Sequence, residues 1–185
     1  MINEIYSEAE ERMKKTIEVL KKDFASVRAG RANPALLDKI RVDYYGVQTP
    51  INQMANISVP EPRLLMIQPW DKSTMGDIER AILKSDTGLN PNNDGSVIRI
   101  SIPQLTEERR KELVKTLKKK SEDFRVEIRN SRRDANDQIK MFEKDGDISE
   151  DDARKGAEKI QELTDSYVEK INQLLENKEA EILEV

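Results

Sequence analysis

Between Thr106 and Phe142 the residues Val114, Leu117, Ser121, Phe124, Ile128, Ser131, Ala135, Ile139 and Phe142 follow a nearly heptad spacing, until Asp145-Gly146 breaks it. That spacing predicts a helix of about ten turns, roughly 57 Å long at about 1.5 Å per residue, with one narrow apolar seam. Such a helix cannot hide its seam alone, so the rest of the chain must supply partners. Thr106 is placed to cap it, and Glu107 and Glu108 in the first turn suit the positive end of the helix dipole.

Two further segments share the period. In residues 1–29, Ile5, Ala9, Met13, Ile17, Leu20, Phe24 and Val27 recur at steps of three or four. Asn3 reads as the N-cap and Gly30 as the left-handed residue after the end, while Pro34 holds Asn33 extended. Ser149, followed by Glu150, Asp151 and Asp152, opens a third helix. Its seam is Ala153, Ala157, Ile160, Leu163 or Thr164, Tyr167, Ile171, Leu174 and Ile182.

Residues 35–102 carry a different pattern. Ile40, Val42 and Tyr44 alternate with Arg41, Asp43 and Tyr45 before Gly46, the period of a half-buried strand. Leu64 to Ile67 form a buried-type run between Pro62 and Pro69, and Val97 to Ile102 alternate before Pro103. Ser73 can cap a short helix through Met75, Ile78, Ala81, Ile82 and Leu83, and Gly88 to Gly95 is dense turn chemistry. Met54, Met66 and Met75 are expected in this segment's core; Trp70 reads as a packing residue, with a partner contact left open.

The economical fold is α+β: an elongated antiparallel three-helix bundle from residues 1–29 and 106–185, with a small mixed α/β domain, residues 30–105, inserted. Two linkers join them, Gly30, Arg31, Ala32 and Asn33 on one side and Pro103, Gln104 and Leu105 on the other. Paired Gly- and Pro-bearing linkers read either as a hinge or as a rigid elbow.

Composition agrees with slender helices, since 36% of the residues are hydrophobic and only 4% aromatic, enough for narrow seams. Histidine and cysteine both number 0, which removes Cys/His metal sites, thiol nucleophiles, disulfides and Ser-His-Asp triads. Gly30-Arg31 and Gly95-Ser96 lack the lysine and spacing of a phosphate-cradling loop. The acids at Glu150, Asp151 and Asp152 fit capping better than cation binding. No enzyme, cofactor or metal is expected. No apolar run approaches the roughly 18 residues of a membrane span, and Met1-Ile2-Asn3-Glu4-Ile5 lacks a signal peptide's basic flank and apolar core. A soluble cytoplasmic protein is expected.

The net charge of −4 argues against a globally basic surface, yet its distribution is uneven. Residues 106–145 carry 13 basic and 10 acidic side chains, whereas residues 146–185 carry 5 and 12. Taking Ile128 as reference and about 100° per residue, Arg132 lies near 40°, Arg125 near 60°, Arg129 near 100° and Arg133 near 140°. The seam is centred near 340° on the same scale, so a basic band about 100° wide faces outward, clear of the core. Lys111, Lys115, Lys118 and Lys140 share that sector.

A charged helix face is ordinarily a solvated surface laced with ion pairs, and the first helix fits that, with Glu8 set to pair with Arg12 and Glu18 with nearby lysines. Arg129 and Arg132, by contrast, have no acid at their near helical positions. Each like-charge neighbour costs about 0.2–0.5 kcal/mol of helix stability, so the cluster points to an external anion. Arginine favours bidentate phosphate contact, and without an aromatic stacking platform the partner is structured RNA rather than a base sequence. Arg28 and Arg31 could extend the patch, whereas Arg110 lies at the seam angle, where a structural contact competes.

Several longer motifs stand in order along the chain: Arg28-Ala29-Gly30-Arg31-Ala32-Asn33-Pro34, Asp43-Tyr44-Tyr45-Gly46, Gln68-Pro69-Trp70-Asp71, Gly88-Leu89-Asn90-Pro91 and Ile98-Arg99-Ile100. Leu105-Thr106-Glu107-Glu108-Arg109-Arg110 and Ile128-Arg129-Asn130-Ser131-Arg132-Arg133-Asp134-Ala135-Asn136 follow, as do Ile148 to Asp152 and Leu163-Thr164-Asp165. In these motifs the chain resembles the bacterial ribosome recycling factors over essentially its whole length.

The resemblance implies an L-shaped monomer whose two domains meet at a hinge. It implies a protein that acts on the post-termination ribosome and, with elongation factor G and the GTP which that partner hydrolyses, separates the subunits to release mRNA and tRNA. Its helical domain would dock on large-subunit ribosomal RNA at the intersubunit face, where transfer RNA ends would sit. By analogy Arg129 and Arg132 fall at the centre of that contact, with Arg133, Arg28 and Arg125 around them. Gly30 to Asn33 and Pro103 to Leu105 would be the hinge. The face that meets elongation factor G is not given by the resemblance; the small domain is expected there because force applied to it would act farthest from the anchor.

Overall fold

The structure, a computed structural model, describes residues 1–27 and 30–183. In chain order its elements are α1 (Ile2–Ala25), β1 (Arg41–Tyr44), β2 (Val47–Pro50), β3 (Ala55–Glu61), β4 (Leu64–Pro69), α2 (Met75–Lys84), β5 (Pro91–Asn93), β6 (Ile98–Ser101), α3 (Glu107–Lys144) and α4 (Glu150–Leu183). The described chain divides into two compact units, one of Met1–Phe24 with Lys111–Leu183 and the other of Ala25–Arg110.

The first unit is a three-helix bundle. Arg12 of α1 donates to Asp134 of α3, and Arg125 and Arg132 of α3 donate to Asn172 and Gln161 of α4. The start of α1 meets the end of α3 and the start of α4, because Ile2 and Ile139 both lie against Gly156. Thus α3 runs antiparallel to its two neighbours. Met13, Leu20, Leu117, Ile128, Ile160, Ile171 and Ile182 are almost wholly shielded from solvent, each burial stabilising by about 1.5–3 kcal/mol.

Each helix end follows from local chemistry. Thr106 Oγ1 accepts from the Arg109 amide at 3.1 Å, and Ser149 Oγ from the Asp152 amide at 3.0 Å, so both sequence-assigned caps form. At the end of α3, Gly146 takes a φ of 79°, the Asp147 amide donates to the Phe142 carbonyl and the Gly146 amide to that of Glu143. These two bonds close the helix and turn the chain back towards α4.

The seams differ from expectation in detail. Leu113 rather than Val114 is buried on α3, and Gly156 and Lys178 are buried on α4 in place of Ala157 and Leu174. The first helix stops at Ala25, leaving Val27 outside it, and Asn3 lies within the helix instead of capping it. Gly30 therefore closes no helix, although its φ of 81° is left-handed. Glu8 does not hold Arg12, which reaches across to Asp134; on α1 itself Lys14 pairs with Glu10 at 3.2 Å.

In the second unit β1 and β2 form a hairpin, and β3-β4-β6-β5 form an antiparallel sheet. The sheet register sets Leu65 opposite Ile100 and Ile67 opposite Ile98, all four buried, while Arg99 and Ser101 point to solvent. Ile78 and Ile82 of α2 complete that core with Leu37, Val42, Ile51, Met54 and Met75. The Tyr45-Gly46 turn has both residues at positive φ, the geometry of a tight hairpin, and the Asp43 carboxylate accepts from the Gly46 amide. Asp71, not Ser73, caps the turn that opens α2, accepting from the Ser73 amide at 3.0 Å. The Gly88–Gly95 stretch holds β5 as well as its turns. Trp70 packs on nothing extensive: it is 69% exposed, against the sequence expectation of a packing residue.

Candidate nucleic-acid interface

The basic flank of α3 faces outward along the edge that borders α4. Arg125 is wedged between the helices, its side chain only 18% exposed, with Nε donating to Asn172 Oδ1 at 2.9 Å and Nη1 to Glu122 Oε2 at 3.0 Å. Arg129, one turn on, donates to Glu122 Oε1, also at 3.0 Å. Arg132 is half-buried and donates to Gln161 Oε1 at 3.4 Å. Arg133 is exposed and makes no ion pair among the described residues. Lys115, Lys118 and Lys140 extend the basic sector, all exposed.

The expectation that Arg129 lacks an acid is overturned. Glu122 lies two turns back, a span the long guanidinium side chain covers, and it serves Arg125 and Arg129 at once. Hydrogen bonds from Arg129 and then Arg125 hold the Glu122 carboxyl below the usual carboxylate range. One acid among four arginines still leaves the flank positive. Glu122 itself stands in solvent, which screens both pairs, so an incoming phosphate can displace it. Across α3, Asp134 faces α1 and pairs with Arg12 at 2.8 Å, so opposite sides of one helix carry opposite charge.

Arg28 lies outside the described residues. Arg31 is exposed, and Arg110 is half-buried with its Nε shielded from solvent. The two linkers lie side by side within the second unit. Gly30 is packed on Leu105, and a β-carbon at position 30 would come within 3.3 Å of the Leu105 side chain. The Ala32 amide donates to the Pro62 carbonyl at 2.7 Å and the Ile102 amide to that of Arg63 at 2.8 Å, so both linkers are tied to one turn between β3 and β4. Asn33 Oδ1 accepts from the Ala35 amide, while Pro103 and Gln104 are exposed.

At the start of α4, Asp151 pairs with Arg154 at 2.7 Å and Lys155 at 3.0 Å, and both bonds lower its pKa. Asp151 thus acts within its own helix. Among the described residues no cluster of acids is arranged to hold a metal ion, and no helix is long and apolar enough to cross a membrane.

Sequence reasoning missed the partners that fix the arginines. Glu122 was findable from its spacing to Arg125 and Arg129. Gln161 and Asn172 are 11 residues apart, about three turns, which places them on one face of α4, but nothing local says which neighbouring helix they meet.

The sequence model of a family described as "Ribosome recycling factor" matches residues 20–183. The chain is similar to the ribosome-recycling factor of Syntrophomonas wolfei, at 63% identity over 185 residues and 100% of each chain. It is also similar to a ribosome recycling factor whose structure was solved in solution, with a TM-score of 0.81, 46% identity, and coverage of 100% of this chain and 98% of that one. A third similarity is to the T. thermophilus ribosome recycling factor, described together with E. coli elongation factor G bound to the E. coli post-termination complex. Here the TM-score is 0.70, with 46% identity and 99% of each chain covered.

Proposed function

The chain belongs to the ribosome recycling factor family, and from that membership we propose that it binds the post-termination ribosome in the cytoplasm as a monomer. With elongation factor G, and with the GTP that factor hydrolyses, it separates the subunits so that mRNA and tRNA leave. The observation that carries the docking part of this reading is the outward row of Arg125, Arg129, Arg132 and Arg133 on α3, whose only acidic partner among the described residues is Glu122. Guanidinium groups aligned along a stiff helix match the spaced phosphates of folded ribosomal RNA, and large-subunit RNA at the intersubunit face is the partner. Arg28 adds to the same contact.

Movement enters through the linkers. Gly30, Arg31, Ala32 and Asn33 with Pro103, Gln104 and Leu105 form the hinge, a reading supported by the backbone bonds from Ala32 to Pro62 and from Ile102 to Arg63, which anchor both linkers on one turn of the second unit. The second unit takes the push of elongation factor G.

Sedimentation of post-termination ribosomes with this protein alone, with elongation factor G and GTP alone, and with both tests the reading. Subunits are expected to separate only with both. Binding is expected to fall steeply with salt and to drop for Arg132→Glu at unchanged thermal stability. Undiminished binding by that variant overturns the docking assignment.

A further inference from the structure

Resting on the reading of the α3 arginines as phosphate ligands, we propose that Gln161 and Asn172 of α4 are positioning residues of the RNA contact, neutral acceptors that aim Arg132 and Arg125 without cancelling their charge. The amide at 161 is fixed from both ends. Its Oε1 accepts from Arg132 Nη1 at 3.4 Å, and its Nε2 donates to Asp165 Oδ1 at 2.8 Å. A guanidinium only donates and a carboxylate only accepts, so the amide has one orientation that satisfies both. It also stands between Arg132 and the Asp165 charge. Asn172 accepts from Arg125 Nε at 2.9 Å and holds that side chain in the groove between the helices.

The choice of amide is informative because α4 lies in the acidic part of the chain, residues 146–185 having 12 acids against 5 bases. Acids were therefore at hand on this helix, and a carboxylate would bind a guanidinium roughly twice as strongly as a neutral acceptor does. Both side chains that reach the α3 arginines from α4 are nevertheless uncharged. Stability alone does not account for that; keeping the positive charge available to an external anion does. An arginine held in one conformer also loses less side-chain entropy when a phosphate arrives.

The test measures binding to purified large ribosomal subunits at two or more salt concentrations, with thermal unfolding of the same samples. Gln161→Glu supplies Arg132 with an internal counter-ion. Affinity is expected to fall about tenfold and the salt slope by about one, while the unfolding temperature stays within a few degrees of the parent. Gln161→Met keeps the size but removes the acceptor, and is expected to weaken binding about two- to threefold with the parent's slope. Asn172→Asp repeats the charge test at Arg125, so loss of folding in one variant leaves the other to decide. Arg132→Glu is the control. If it weakens binding while Gln161→Glu and Asn172→Asp match the parent in affinity and slope, the positioning role is overturned alone. If Arg132→Glu binds as the parent does, the arginine contact fails, and the positioning role with it.

Discussion

Gly156 of α4 lies directly against Ile2 of α1: a β-carbon at position 156 would stand 3.2 Å from Ile2 Cδ1, and 3.4 Å from Ile139 Cδ1 on α3. Three helices converge there because one residue has no side chain. Gly156→Leu is expected to destabilise the bundle by about 1–3 kcal/mol through overpacking, measured as a lowered urea midpoint. Gly156→Ala, which gains helix propensity against a mild clash, is expected to stay within about 1 kcal/mol of the parent. A leucine variant as stable as the parent would mean that the helices do not meet so closely.

Lys178 is buried on the seam of α4 and reaches Glu181 at 3.1 Å, where Glu181 is still 40% exposed. A buried ammonium contributes little net stability. Lys178→Met is expected to match the parent or exceed it by up to about 1 kcal/mol, whereas Glu181→Ala, which strips the ammonium of its partner, is expected to lose roughly 1 kcal/mol. Calorimetric unfolding of the two variants decides.

Removing the acid from the basic flank gives the opposite outcome to adding one. Glu122→Gln frees Arg125 and Arg129 from their shared counter-ion, so tighter binding to large ribosomal subunits is expected, with a steeper dependence on salt. Titration of the Glu122 pair works in one direction. Its folded-state pKa is lowered, so the stabilisation is present above the ordinary carboxylate range and fades as pH falls through the depressed value.

Asp94 has the more pronounced pH signature. Amides of Val97 and Ser96, and the Arg99 guanidinium, hold its carboxyl down to about 2. A depressed pKa stabilises above the unfolded value near 4 and is lost as pH falls towards about 2. Asp94→Asn keeps an oxygen for the two amides but no charge. Its unfolding midpoint is expected to vary less between about pH 4 and pH 2 than the parent's, with the variant the less stable of the two at neutral pH.

Long-period features were the most legible in the sequence. A seam such as Leu117, Ser121 and Ile128 repeats until chance cannot imitate it, and caps such as Thr106 and Ser149 are local chemistry. Short strands were not: β2, β3 and β5 were unread because three to seven residues with Pro50, Pro60 or Pro91 among them give no period, and only pairing with β1, β4 and β6 makes them strands. The exposure of Trp70 was hidden for a related reason, since side-chain type sets a preference for burial and the edge of a fold can override it. The arginine row could be placed by angle alone. Its partners could not: Arg12 turned to Asp134 rather than Glu8, and Arg129 to Glu122, because tertiary neighbours and side-chain reach extend beyond one helical turn.

The bundle is discontinuous in sequence, with α1 at one end of the chain and α3 and α4 beyond the second unit. During synthesis α1 emerges before α3 and α4, yet Met13, Leu20 and Phe24 have no bundle partner until more than eighty further residues have been made. The inserted unit has its own core and can fold in that interval. A nascent chain of this kind therefore carries an uncovered greasy stripe on α1 while the second unit is made, and bundle assembly waits for α3 and α4.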